Sequence, residues 1–129
     1  MSMKDKYLVD SNIIICHLNG ESIATKFLQK NLSISAISQL TFLEILSFEF
    51  SKEDEQKVIE LLEQFTILDT SKDIALQAIK NRRNKKIKLA DNIIVSTAQV
   101  NDLILVTRNT KDFNKIFIKI LNPFSTKEN

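Results

Sequence analysis

The sequence predicts an α/β fold: a three-layer α/β/α sandwich around a central, mainly parallel sheet of about five short strands. Three observations predict it. Short apolar runs of strand length alternate with longer segments of helical periodicity. That alternation calls for right-handed crossovers, hence parallel strands. No repeat, low-complexity segment or linker interrupts the 129 residues, so residues 1–129 read as a single domain.

Residues 6–10, KYLVD, read as a buried strand ending in an acid. The apolar stretch IIICHL follows as a helix, capped by Asp10 or Ser11 and stopped by Asn19-Gly20. Residues 22–29 suggest a second short helix. Residues 32–35, LSIS, alternate as a strand does. Across residues 36–50, Ile37, Leu40, Phe42, Leu43, Ile45 and Leu46 recur at helical spacing. Residues 52–65 form an amphipathic helix with Val58, Leu61, Leu62 and Phe65 on one face. Ser51 with Asp54 resembles its capping box, with Asp in place of Glu. Residues 66–69, TILD, are a brief strand, and 71–81 a helix with Ile74, Ala75, Ala78 and Ile79 inward. A helix over 89–100, the clear buried strand LILVT at 103–107 and a last strand at 116–121 complete the fold. Pro123 opens a polar tail, 123–129.

The scarce residues exclude whole chemistries. A single Cys, Cys16, rules out an internal disulfide and a Cys-based zinc site. A single His, His17, rules out paired imidazoles and a multi-His metal site. A single Gly, Gly20, rules out a dinucleotide fingerprint and a P-loop. No run reaches the ~18 apolar residues of a membrane span, and Asp10 interrupts any signal-peptide core. With one thiol, a reducing cytoplasm is the expected compartment. Residues 80–88, KNRRNKKIK, hold six cations and no acid, so the remainder of a chain of net charge +2 sums to −4. The chain is a mildly acidic body with one basic patch.

Four acids sit among apolar neighbours. Asp10 follows the strand YLV, Glu44 lies within TFLEILSF, Asp91 within KLADNIIV, and Asp112 in TRNTKDF after the late strand. Each has a structural alternative: helix cap for Asp10, helix-dipole partner for Asp91, outward-facing residue for Glu44, loop residue for Asp112. Three of the four, Asp10, Asp91 and Asp112, occupy the places where an open sheet builds its site, two after strands and one at a helix start. Buried carboxylates are costly unless paired with cations or a metal. Carboxylates without His or Cys suit Mg²⁺ or Mn²⁺. Such ions activate water and stabilise the leaving oxygen of a phosphodiester. The basic patch lies a few residues before Asp91, where Arg82, Arg83, Lys85, Lys86 and Lys88 would bind phosphates. Arg108, beside the late strand, is a further candidate.

These segments resemble the PIN-domain family, in particular the VapC toxins of prokaryotic toxin–antitoxin pairs. YLVDSNIII resembles the family's opening strand, TFLEIL its Glu-bearing helix, and KLADNIIVSTAQVNDLILVTRNTKDF its longest and most specific stretch. The resemblance spans nearly the whole chain. It implies a PIN-like sandwich and Mg²⁺- or Mn²⁺-dependent endoribonuclease activity on a tRNA or rRNA loop. It also implies homodimerisation and inhibition by a VapB-like antitoxin whose C-terminal part covers the site. Asp10, Glu44 and Asp91 match the metal positions, and Asp112 or Asn109 the fourth. Ser11, Asn12 and Thr107 would shape the rim. Metal-activated water would leave a 5′-phosphate and a 3′-hydroxyl.

Other readings compete. A PIN nuclease could act in RNA maturation or on DNA. A catalytically dead module would use the basic patch alone. An aspartyl-phosphate phosphotransfer domain would want a second acid two residues after Asp10, where Asn12 stands.

Overall fold

A computed structural model describes residues 4–113 and 115–125. Five strands form one sheet: β1 (Tyr7–Val9), β2 (Ser35–Ser38), β3 (Thr66–Leu68), β4 (Ile104–Val106) and β5 (Ile120–Leu121). Their order is β3-β2-β1-β4-β5, and every neighbouring pair is parallel. The helices are α1 (Ser11–Leu18), α2 (Ser22–Asn31), α3 (Gln39–Leu46), α4 (Lys52–Leu62), α5 (Lys72–Asn84) and α6 (Leu89–Val100). The predicted three-layer sandwich is therefore the observed architecture.

The period-two pleat divides the interior into two cores. Val9, Ile37 and Val106 pack with Ile13 and Ile14 of α1, Ile45 of α3, and Val58 and Leu62 of α4. Their neighbours Leu8, Ala36 and Leu105 face the opposite way, against Ile94, Val95 and Ala98 of α6. Burying each Leu, Ile or Val here is worth roughly 1.5–3 kcal/mol. Serine caps start three of the helices: Ser38 Oγ accepts from Leu40 N, Ser51 Oγ from Asp54 N and Ser71 Oγ from Ile74 N. The Ser51 half of the expected capping box is thus formed.

α5 is joined to α6 by a buried polar cluster. Asn81 Nδ2 donates towards Gln99 Oε1 (2.8 Å), Ser96 Oγ (3.0 Å) and Asn92 Oδ1 (3.3 Å), and Asn81 Oδ1 accepts from Gln77 Nε2 (3.2 Å). Asn92 Nδ2 donates back to the Ala78 carbonyl at 2.8 Å. The start of α6 is thereby fixed against α5.

Several boundaries differ from the sequence reading. Residues 32–34 form a 3₁₀ turn, and the strand is the following Ser35–Ser38, in which all four residues are buried. A strand covered on both faces loses the polar alternation that marks a half-buried one. The helix expected over 36–50 is consequently shorter, Gln39–Leu46. It ends where the Ser47 hydroxyl donates to the Leu43 carbonyl at 2.7 Å, a local bond that competes with helix continuation. The last strand shrinks to two residues because it pairs only with Leu105 and Val106. α5 runs on to Asn84, so the basic segment is half helix and half loop. The predicted tail begins as a turn, with Phe124 N donating to Asn122 Oδ1 at 3.0 Å and Phe124 packed against the α1-side core. Residues 126–129 of that tail lie outside the described residues.

Candidate functional site

The chain leaves β1 in one direction, through β2 and β3, and returns to the other side for β4 and β5. The strand order therefore reverses between β1 and β4, and open parallel sheets form their crevice at the carboxyl ends of such a pair. Asp10 is the residue after β1 and Thr107 the residue after β4. The backbone ties them into the sheet: Asp10 N donates to Val106 O at 2.9 Å and Thr107 N to Leu121 O at 3.0 Å.

Asp10 is 8% exposed and held from several sides. Its Oδ1 accepts from Ser11 N at 2.8 Å, the helix-cap bond expected from sequence. Its Oδ2 accepts from the Thr107 hydroxyl at 2.9 Å and from Asn12 Nδ2 at 3.3 Å. Thr107 Oγ1 in turn accepts from Asn12 Nδ2 at 2.9 Å and from Asn109 N at 3.0 Å. Asn12 Oδ1 accepts from Arg108 N at 3.1 Å. The cap role and the site role of Asp10 are thus compatible. The predicted rim residues Asn12 and Thr107 fix its rotamer with side-chain bonds, and Ser11 does so with its backbone N–H.

Asp91 and Glu44 act on Asp10 through their charge. Burial raises the Asp10 carboxyl above its ordinary range. The bonds from Thr107 and Ser11 oppose that rise, while the charges of Asp91 and Glu44 add to it. Asp91, half-buried in the first turn of α6, is also raised, by burial and then by Asp112, against the pull of Lys88. An acid there meets the positive end of the helix dipole, and Lys88, the N-cap, offers no side-chain capping bond. Asp112 accepts from Asn109 Nδ2 at 2.6 Å, so the two alternatives for the fourth acidic position form one hydrogen-bonded pair. The four acids therefore make an electrostatic chain, Glu44–Asp10–Asp91–Asp112.

Among the described residues, no three His, Cys, Asp or Glu side chains converge into a closed metal-binding cluster as placed. The donor chemistry nevertheless fits a hard divalent cation. Mg²⁺ keeps several waters and needs one or two carboxylates rather than a full protein cage. Asp10 and Asp91, each disfavoured as an anion by burial first and by a neighbouring acid second, are the pair a cation would relieve.

The predicted cations separate into groups. Lys85 and Lys86 line a cavity of about 350 Å³ together with Asp112, at the edge of the acids. Lys88 lies near enough to Asp91 to lower its pKa. Arg82 and Arg83 are exposed in the last turn of α5. Arg108 points elsewhere: its guanidinium lies 3.9 Å from the Phe124 ring centroid, 3.3 Å from Cys16 Sγ and 3.4 Å from Glu21 Oε1. Its side chain is not gathered with the acids. Sequence reasoning missed Lys111 and Lys115, which line the same cavity as Lys85 and Lys86; the spacing of lysines in TKDFNK was the available signal. A larger cavity, about 770 Å³, lies at the opposite, amino end of the strands beside Lys6 and Ile104, away from all four acids.

Comparison with known proteins bears on this arrangement. A family model described as PIN domain matches residues 7–118. The fold is similar to that of a toxin–antitoxin complex from Klebsiella pneumoniae, with TM-score 0.83 and 36% identity over 92% of this chain and 98% of that one. It is also similar to DNA-bound VapBC from Salmonella typhimurium, with TM-score 0.79 and 22% identity over 92% and 98% of the two chains. VapBC-1 from nontypeable Haemophilus influenzae is similar over the same shares, with TM-score 0.76 and 23% identity. At those lower identities the last two likenesses establish the shared fold. A search of curated proteins found none similar.

Proposed function

This chain belongs to the PIN-domain family, a family of nucleases, and from that premise we propose that it is the toxin of a VapBC-type toxin–antitoxin pair. Its activity is that of a Mg²⁺- or Mn²⁺-dependent endoribonuclease acting on a tRNA or rRNA loop. The observation that carries the reading is Asp10 at the reversal of strand order, held by Ser11, Asn12 and Thr107, with Asp91 in the first turn of α6 near enough for its charge to act on it.

Asp10 and Asp91 would hold the ion, with Glu44 joining directly or through water and Asp112, paired to Asn109, as the fourth acid. A divalent ion bound there would supply activation of the attacking water and stabilisation of the leaving oxygen. Thr107 and Asn12 hold the Asp10 carboxylate in place at the strand end. Lys85, Lys86, Lys88, Arg82 and Arg83 offset the repulsion between four carboxylates and a polyanion, and bind its phosphates. Hydrolysis leaves a 5′-phosphate and a 3′-hydroxyl. Arg108 is assigned to holding the turn at Phe124 rather than to RNA.

The partner is a VapB-like antitoxin, supported by the toxin–antitoxin complexes among the similar structures. A cation of that antitoxin entering the carboxylates would displace metal and block RNA together. A second copy would dock through exposed apolar helix residues such as Leu43, Leu76, Ile79 and Leu89. Among the described residues no helix is long and apolar enough to cross a membrane, in keeping with a toxin acting in the prokaryotic cytoplasm.

The test is cleavage of total tRNA and rRNA by purified protein with Mg²⁺ or Mn²⁺, with EDTA, and by Asp10→Asn. Discrete metal-dependent fragments, lost in the variant, are expected. Salt-sensitive retention of RNA without cleavage, equal in both proteins, would leave the dead-module reading instead. An antitoxin that binds without suppressing cleavage would remove the inhibition proposal.

A further inference from the structure

Two lysine pairs from separate parts of the chain meet beside the acids. Lys85 and Lys86 follow the end of α5, while Lys111 and Lys115 belong to the turn after β4. With Asp112 they wall the 350 Å³ cavity. Ile87 and Ile116 also line it and pack, partly buried, against the α6-side core, so the cavity is anchored to the folded interior.

The charge balance of this cavity is lopsided. Four lysines stand against one carboxylate, and Asp112 already accepts a hydrogen bond from Asn109. Among the described residues none of the four lysines forms an ion pair. Four like charges around one cavity favour an anion between them. The cavity falls in the size range of small-ligand sites, roughly 300–1,000 Å³, which suits a phosphate with part of its sugar.

Asp112 places the cavity relative to the chemistry. Its charge raises Asp91 on one side, and it walls the lysine cavity on the other. A strand whose scissile phosphate lay at Asp10 and Asp91 would bring a neighbouring phosphate to the lysines. Lysines act as point charges without the fork geometry that reads a base edge, so the contact would position the strand and carry no sequence preference.

We propose that the cavity between Lys85, Lys86, Lys111 and Lys115 binds one backbone phosphate of the RNA strand, next to the bond that is cut; its substrate rests on the nuclease reading above.

The test compares wild type with Lys111→Gln/Lys115→Gln, and with Lys26→Gln/Lys30→Gln on α2 as control. All four are exposed, so the fold is expected to survive. Binding of a labelled single-stranded 12-mer RNA is measured in EDTA across a salt series. Loss of one phosphate contact lowers the slope of log K against log salt by about 0.7. That drop is expected in the first variant and not in the control. In cleavage assays the first variant should raise KM about tenfold with kcat unchanged, the signature of lost uniform binding. An unchanged slope, an unchanged KM, or equal displacement of the RNA by a polyglutamate peptide of matched charge would each overturn the proposal. So would inorganic phosphate competing as strongly as the 12-mer, since that would mark a free-phosphate site. Wild type that binds RNA through these lysines but never cleaves it would overturn the nuclease reading and leave the phosphate site standing. Cleavage with the same KM in both proteins would do the reverse.

Discussion

Thr107 donates its hydroxyl to Asp10 Oδ2 at 2.9 Å across 97 positions of chain, joining the end of β4 to the end of β1. The bond holds the carboxylate that the proposed chemistry needs, and the same hydroxyl accepts from Asn12 and Asn109. Outer-shell partners of metal-site residues typically contribute 10–100-fold to activity or metal affinity. Thr107→Val is expected to lose about that much cleavage and Thr107→Ser to keep most of it, while Asp10→Asn loses more than either. Initial rates at saturating metal, with circular dichroism to confirm folding, decide the ranking. Wild-type rates in Thr107→Val would mean that Asp10 needs no such support.

The acid pair makes stability depend on pH in a stated direction. Asp10 and Asp91 titrate above the ordinary carboxyl value of 3.8 when folded. Between that value and the raised one, the folded chain binds more protons than the unfolded chain. Stability from these groups therefore falls as pH rises through that window. Asp10→Asn removes one of them, so in EDTA the difference in Tm between variant and wild type should move in the variant's favour from about pH 3 to about pH 7. Adding Mn²⁺ at neutral pH should raise the wild-type Tm and leave the variant's nearly unchanged. Ligand at about 100 times its Kd adds roughly 2.7 kcal/mol. A difference that moves the other way with pH would contradict the burial of Asp10.

Asn81 tests how firmly α6, and with it Asp91, is held. Replacing it with Ala removes the donor shared by Asn92, Ser96 and Gln99. A buried polar group left without its partner costs about 1–3 kcal/mol, which urea unfolding would read as a lower midpoint at unchanged slope. An unchanged midpoint would show that water or a neighbour replaces the amide.

Thr41 predicts the opposite sign. Its hydroxyl is buried in α3 and, among the described residues, has no hydrogen-bond partner. Thr41→Val keeps the shape and removes the unsatisfied group, so stability should be unchanged or higher by about 1 kcal/mol. Destabilisation by more than that in thermal or urea unfolding would reveal a partner for the hydroxyl.

The acids were legible because an acid beside an apolar run is conspicuous in one dimension. Asp10 after YLV and Asp91 within LADNII stand out without any knowledge of contacts. That Asp10 and Asp91 lie near enough to interact through their charge follows from fold class, since strand ends and helix starts share one edge of an open sheet. Ser35–Ser38 was not legible, because full burial on both faces erases the pattern that strands are recognised by. Asn81 was hidden inside a basic run, where an amide reads as one more surface residue, and its partners on α6 lie 11 to 18 positions away. Arg108 looked like a phosphate contact from its place after the strand; its side-chain direction is set by Phe124 and Glu21, neither of which is near it in sequence. Lys111 and Lys115 gained meaning only when the turn after β4 met the loop before α6.

The two outermost strands are short, β3 with three residues and β5 with two. A sheet edge is an open row of donors and acceptors that another chain can extend, and natural proteins blunt it by keeping edge strands brief. Here a foreign strand would gain only a few hydrogen bonds at either side. Self-templated fibril growth through the sheet edges is thereby disfavoured even when the chain stands alone, whatever its helices pack against.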